Sequence, residues 1–140
     1  MGDQMTDLDS AREWLRFSQM DLSSAEYLLS MRPCPAEIIC YHCQQSAEKA
    51  LKSILILNSI FPPKIHNLKE LCNLCKSYST SLEVIEEQCA NLNKYSIRPR
   101  YPREIEITDT QLQEAITDVK MVFEYVKGLF PSDADHHHLI

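Results

Sequence analysis

Apolar residues recur at three- and four-residue intervals along nearly the whole chain, a period that suits helix and little else. In residues 8–31, Leu8, Ala11, Leu15, Leu22, Ala25 and Leu29 line one face, with Trp14 beside them. Asp7, Asp9 or Ser10 can cap that helix. The string "RPCP" at 32–35 ends it, because proline cannot continue the hydrogen-bond ladder. Residues 36–58 repeat the period. After the stiff connection "NSIFPPKIH" (58–66), Asn67 can cap a short helix over 67–78 that carries Leu68, Leu71, Cys72 and Cys75. A fourth helix is predicted from about 82 to 95 through Leu82, Ile85, Cys89 and Leu92. Thr108 or Asp109 caps the last long one, 109–128, with the stripe Leu112, Ile116, Val119, Phe123, Val126 and Phe130, and Gly128 is placed to end it.

Strand alternation appears only in "REIEIT" (103–108), which is short and lies beside prolines. Glycine is limited to Gly2 and Gly128, which disfavours tight hairpins and excludes a glycine-rich phosphate loop. Three long and two short amphipathic helices make an all-α bundle of about five helices. A chain of 140 residues suits one domain. The expected division is a flexible N-terminus (1–8), a helical bundle (9–130) and a disordered tail (131–140) containing "DADHHHLI".

The net charge of −6 argues against a generic nucleic-acid binder but leaves room for a local basic patch. The start "MGDQMTDLDS" lacks an apolar signal, and no run approaches the roughly 18 apolar residues of a membrane span. A cytoplasmic location with reduced thiols is expected. Cys40/Cys43 and Cys72/Cys75 have the C-x-x-C spacing of zinc sites. Both pairs sit inside helical patterns without a shaping glycine or proline. They are expected to pack in the core, with no metal and no cofactor.

Two polar features remain. In "YHCQQSAEKALKSILI" (41–56), Cys43 marks the core direction on a helical wheel. His42, Lys49, Gln45 and Lys52 then fall at about −100°, −120°, −160° and 180°, nearly opposite the core. This stripe is either a solvent-facing strip or a surface that meets an anion or another subunit. The second feature is "SIRPRYPREIEIT" (96–108), where Arg98, Arg100 and Arg103 stand near Tyr95 and Tyr101. Guanidinium groups bind phosphate bidentately and tyrosine can stack on a base. Pairing of these arginines with surface carboxylates is the plainer alternative. His66 precedes the third helix and can pack there or act chemically.

The strings "YHCQQSAEKALKSILI", "IHNLKEL" and "LNKYSIRPRYP", in this order, resemble the HEPN family over about residues 9–130. The resemblance implies an up-and-down bundle, a homodimer and a companion minimal nucleotidyltransferase, often as a toxin–antitoxin pair. In some such pairs the helical chain is a metal-independent RNase. That branch carries an arginine followed four to six residues later by histidine, and no arginine here has that partner. No catalytic residue is therefore assigned, and the chain is not expected to be an enzyme by itself. The Gln45/Lys49 pair belongs to the family-like string. The expected function is a module that binds a nucleotide or other anion and partners a nucleotidyltransferase. His42, Gln45, Lys49, Lys52, His66, Tyr95, Arg98, Arg100 and Tyr101 are its candidate ligand residues. Phosphate would be held by Arg98, Arg100 and Lys49, with a base on Tyr101 or Tyr95. The alternatives are an RNase toxin, with RNA as partner, and a ligand-free helical interaction domain.

Overall fold

The computed structural model describes residues 6–96 and 106–132. Arg98, Arg100, Tyr101 and Arg103, and the tail beyond Ser132, lie outside them. Helix α1 spans Asp7–Leu28, α2 Ala36–Leu57, α3 Leu68–Cys75, α4 Glu86–Leu92 and α5 Asp109–Lys127. The fold is all-α, with five helices and no strand among the described residues.

Helix α1 starts on Thr6, one residue before the expected caps. Thr6 Oγ1 accepts the Asp9 N–H at 3.1 Å, and the Asp9 carboxylate accepts the Thr6 N–H at 3.3 Å. Asp9 thus serves as the returning partner of a capping box rather than as the cap. Thr108 and Gln111 form the same box on α5, and Asn67 Oδ1 takes the N–H groups of Lys69 and Glu70 on α3. Helix α2 ends with Ser59 at φ 64°, the left-handed position that glycine usually fills. The Ile60 N–H bonds back to the Leu55 carbonyl at 2.8 Å, and the Ser59 hydroxyl donates to the Asp7 carboxylate, tying the end of α2 to the start of α1. Gly128 does sit at the end of α5, but in right-handed geometry (φ −66°).

The α1–α2 hairpin is antiparallel: Asp7 meets Ser59, Ser18 meets Ser46 and Asp21 meets His42. Fully buried Ala11, Ser18 and Ala25, seven residues apart, give α1 a small-residue seam on which α2 packs. At its centre Ser18 Oγ donates to the Ser46 carbonyl at 2.7 Å and Ser46 Oγ to the Ser18 carbonyl at 2.9 Å. Helix α2 is the hub, touching α1, α3, α4 and α5. Between Cys43 and Leu55 only Gln45 and Lys49 escape full burial.

Three expected helices are shorter. The first ends at Leu28 rather than 31, before the prolines are reached, and the third at Cys75 rather than 78. The fourth resolves into a 3-10 turn (Leu82–Ile85), α4, and a second 3-10 turn (Asn93–Tyr95). The apolar steps Leu82–Ile85 and Cys89–Leu92 are three residues long, a spacing that a 3-10 turn serves as well as an α-helix. The predicted core stripes of α3, this segment and α5 are buried, apart from half-buried Phe130.

Five cysteines pack in the core and Cys34 is exposed. Burial pushes the Cys40 thiol up to about 11 and the Cys75 thiol up to about 12, and raises Cys43 as well. Cys75 donates to the Leu51 carbonyl at 3.3 Å. A disulfide-forming aromatic reagent at neutral pH is expected to titrate Cys34 alone in the folded protein. The buried thiols should react at least about a hundredfold more slowly, since the packed core shuts the reagent out and burial also holds Cys40, Cys43 and Cys75 in the unreactive thiol form. A second thiol reacting as fast as Cys34 would contradict the buried placement.

Candidate functional site

The polar face of α2 is not its wet side. Lys52 and Glu48, one helical turn apart, are buried, with side chains 7% and 6% exposed. Their ammonium and carboxylate meet at 3.0 Å. Glu48 also receives His66 Nδ1 at 3.0 Å, while Gln44 Nε2 donates to it at 3.4 Å. Gln44 Nε2 donates as well to the His66 carbonyl at 3.1 Å, and Gln45 Nε2 donates to Gln44 Oε1 at 2.8 Å. Trp14 closes this centre from α1, with the Lys52 ammonium 6.0 Å from its ring centroid.

A second carboxylate sits across the helix–helix seam. Asp21 of α1 takes His42 Nδ1 on Oδ1 at 2.9 Å and the Lys49 ammonium on Oδ2 at 2.5 Å. His42 and Lys49 are seven residues apart, two turns along one face, so they straddle Asp21. On the wheel of α2, Glu48 lies about 100° from Lys49, so the two centres occupy neighbouring arcs and Gln45 stands between them.

Of the two readings of the stripe, the fully solvent-facing one is therefore corrected, as is its placing of Lys52 opposite the core. Lys52 is internal, and His42, Gln45 and Lys49 are half-buried. The physical reason is that α1 and the segment around His66 cover this face and supply carboxylates and carbonyls for its polar groups. Lys49 is paired with Asp21 and Lys52 with Glu48, so these four groups carry no excess positive charge. His66 keeps its ring at the surface, 70% exposed. Tyr95 is buried, with its hydroxyl bonded to Cys40 and its ring covered by the Lys94 ammonium at 5.3 Å. Its ring offers no open face for stacking a base. Asp21, Gln44, Glu48 and Trp14 were not among the expected site residues. Only the four-residue spacing of Glu48 and Lys52 signalled a pair.

Chemically, the geometry offers two features. In both histidines the carboxylate holds Nδ1, which assigns the proton to that nitrogen and leaves Nε2 as the acceptor, the arrangement of an oriented acid–base group. Beside Lys49 lies a depression of about 460 Å³, lined also by Ser10, Glu13, Trp14 and Phe17. No group of three or more metal-ligating side chains occurs among the described residues, and none of the described helices is long and apolar enough to cross a membrane.

Known proteins place this architecture. The chain is 27% identical to the protein named "Putative toxin MJ1304" of Methanocaldococcus jannaschii, over 91% of this chain and 92% of that one. Its fold matches the crystal structure of TT1696 from Thermus thermophilus with a TM-score of 0.70, at 23% identity over 84% of this chain and 96% of that chain. It also matches ST0689, described as an archaeal HEPN homologue, with a TM-score of 0.65 at 24% identity over 85% and 96%. Residues 11–129 match the HEPN domain family, and with nearly the whole bundle inside that match, the chain belongs to the HEPN family.

Proposed function

We propose that this chain is the helical member of a toxin–antitoxin pair, a dimeric partner of a minimal nucleotidyltransferase that binds a nucleotide or similar anion on its α1–α2 hairpin. The observation that carries the reading is the depression beside Lys49, where one cation and two aromatic rings, Trp14 and Phe17, share a concave surface. The near full-length similarity to a protein named as a toxin supports the pairing. Exposed Phe17, Met20, Ile60 and Phe61 supply apolar surface on this side of the molecule for a second subunit.

In this reading Trp14 and Phe17 take over from Tyr95 its share of the stacking expected of Tyr101 or Tyr95. Lys49 turns from Asp21 to the phosphate. The Asp21 carboxylate is not stranded by that exchange, because His42 still holds its other oxygen. Arg98, Arg100 and Tyr101 are proposed to complete the phosphate and base contacts. Gln45, Lys52 and His66 hold the hairpin face in shape around Glu48.

The test is calorimetric titration with AMP and ATP, alone and with a minimal nucleotidyltransferase from the same genome, together with a pull-down of that enzyme. Asp21→Asn releases Lys49 and is expected to tighten nucleotide several-fold. Lys49→Ala should weaken it about tenfold, the loss of one charge-assisted contact. Absence of nucleotide binding at millimolar concentration in both conditions, or a clean failure to associate, defeats the reading.

The Asp21–His42 dyad favours a second reading, a metal-independent RNase in which His42 Nε2 accepts a 2′-hydroxyl proton. Asp21→Asn separates the two. It should lower RNA cleavage by the pure protein by a factor of ten or more while tightening nucleotide.

A further inference from the structure

A different groove lies between α1 and the end of α5. It encloses about 570 Å³ and is lined by Arg12, Arg16 and Gln19 from one side and by Phe123, Lys127 and Phe130 from the other. Three cations converge there in a chain of net charge −6, and no carboxylate is among the described residues that line it. An arginine pair four residues apart projects from one helix face. Buried Phe123 and half-buried Phe130 give the floor an apolar character.

We propose that this groove is an anion site for a small phosphomonoester carried on a flat apolar body. Arg16 and Lys127 would bind the phosphate, and the two phenylalanines would cover the body. Arg12 is already engaged, donating from Nη2 to the Pro131 carbonyl at 3.0 Å, and so shapes the rim. Arg16 lies over the face of the Phe17 ring, 5.0 Å from its centroid. A guanidinium carries five N–H donors, more than a contact with one ring can occupy, so donors remain for an oxyanion.

The main physical objection is the negative end of the α5 dipole. Here three of the last four carbonyls accept hydrogen bonds. Gly128 N–H bonds Glu124 at 3.1 Å, Leu129 N–H bonds Val126 at 2.9 Å and Phe130 N–H bonds Lys127 at 3.1 Å. Arg12 takes the Pro131 carbonyl, and the Lys127 ammonium sits at the same helix end, where a cation offsets the dipole. Lys49 does not line this groove, but Arg16 rests on Phe17, a ring of the α1–α2 depression, so Lys127→Gln is the variant that separates the two readings.

The experiment is titration of the full chain with AMP, ribose 5-phosphate, inorganic phosphate and adenosine, with circular dichroism as the folding control. AMP should bind tightest and ribose 5-phosphate more weakly, with phosphate weaker still. Because AMP is also the ligand proposed for the Lys49 depression, the groove is read in the Lys49→Ala protein. There Arg16→Gln and Lys127→Gln should each weaken AMP about five- to tenfold, and together about fiftyfold. Addition of AMP to the unaltered protein should also shift the ring-proton resonances of Phe123 and Phe130, a readout that needs no variant. AMP affinity unchanged by the double change in that background overturns the assignment, as does loss of all AMP binding in Lys49→Ala or unmoved phenylalanine resonances.

Discussion

Glu48→Ala is expected to destabilise the folded chain by about 3–5 kcal/mol, the usual penalty for removing one member of a buried ion pair. Its carboxylate is the common acceptor for the Lys52 ammonium, His66 Nδ1 and Gln44 Nε2. Alanine leaves Lys52 charged, nearly water-free and unpaired, and leaves the fully buried Gln44 amide with fewer acceptors. Coulomb attraction alone does not set this number, since desolvation offsets much of the benefit of the intact pair. The double change Glu48→Leu with Lys52→Met should therefore recover most of the loss. Urea unfolding followed by Trp14 fluorescence is the measurement. Trp14 is the chain's only tryptophan and lies against Lys52, so its emission reports on this centre. A loss below about 1 kcal/mol for Glu48→Ala would mean that water reaches the pair, as at exposed ion pairs.

Leu51→Ala should cost about 2–5 kcal/mol. Leu51 has no solvent exposure and lies on α2, the helix that every other helix touches. Truncation there opens a cavity that neighbours on several sides would have to move together to fill. Leu51→Met preserves volume and should cost less than about 1.5 kcal/mol. Leu74→Ala, at a residue 42% exposed, should cost well under the core value. Unfolding midpoints of the three variants give the comparison, and equal losses at Leu51 and Leu74 would contradict α2 as the hub.

Local chemistry carried much of the fold. The three- and four-residue spacing of Leu112, Ile116, Val119, Phe123 and Val126 needs no partner to be read, because it reflects the helix's own period. Asn67 and Thr108 were legible as caps because a cap is satisfied by N–H groups two or three residues away. The box at Thr6 was misjudged by one position because Asp9 can serve either as cap or as returning partner. The 3-10 turns around α4 were missed because apolar residues three apart fit both helix types.

The candidate site divides along the same line. That His42, Gln45, Lys49 and Lys52 share one arc of α2 was written in residues 42–52 themselves, whereas the meeting of His66 with Glu48 was not. Which of them face water was decided by Asp21, 28 positions before Lys49, and by the antiparallel register that brings α1 across α2. A helical wheel reports how residues are arranged around one axis, not how many sides of that axis are covered. The helices, the apolar stripes and the cysteine core follow from contacts within a few residues of each position. The central place of α2, the pairing of its lysines with carboxylates and the grooves beside α1 follow from contacts between distant segments, which exist only once the helices have packed.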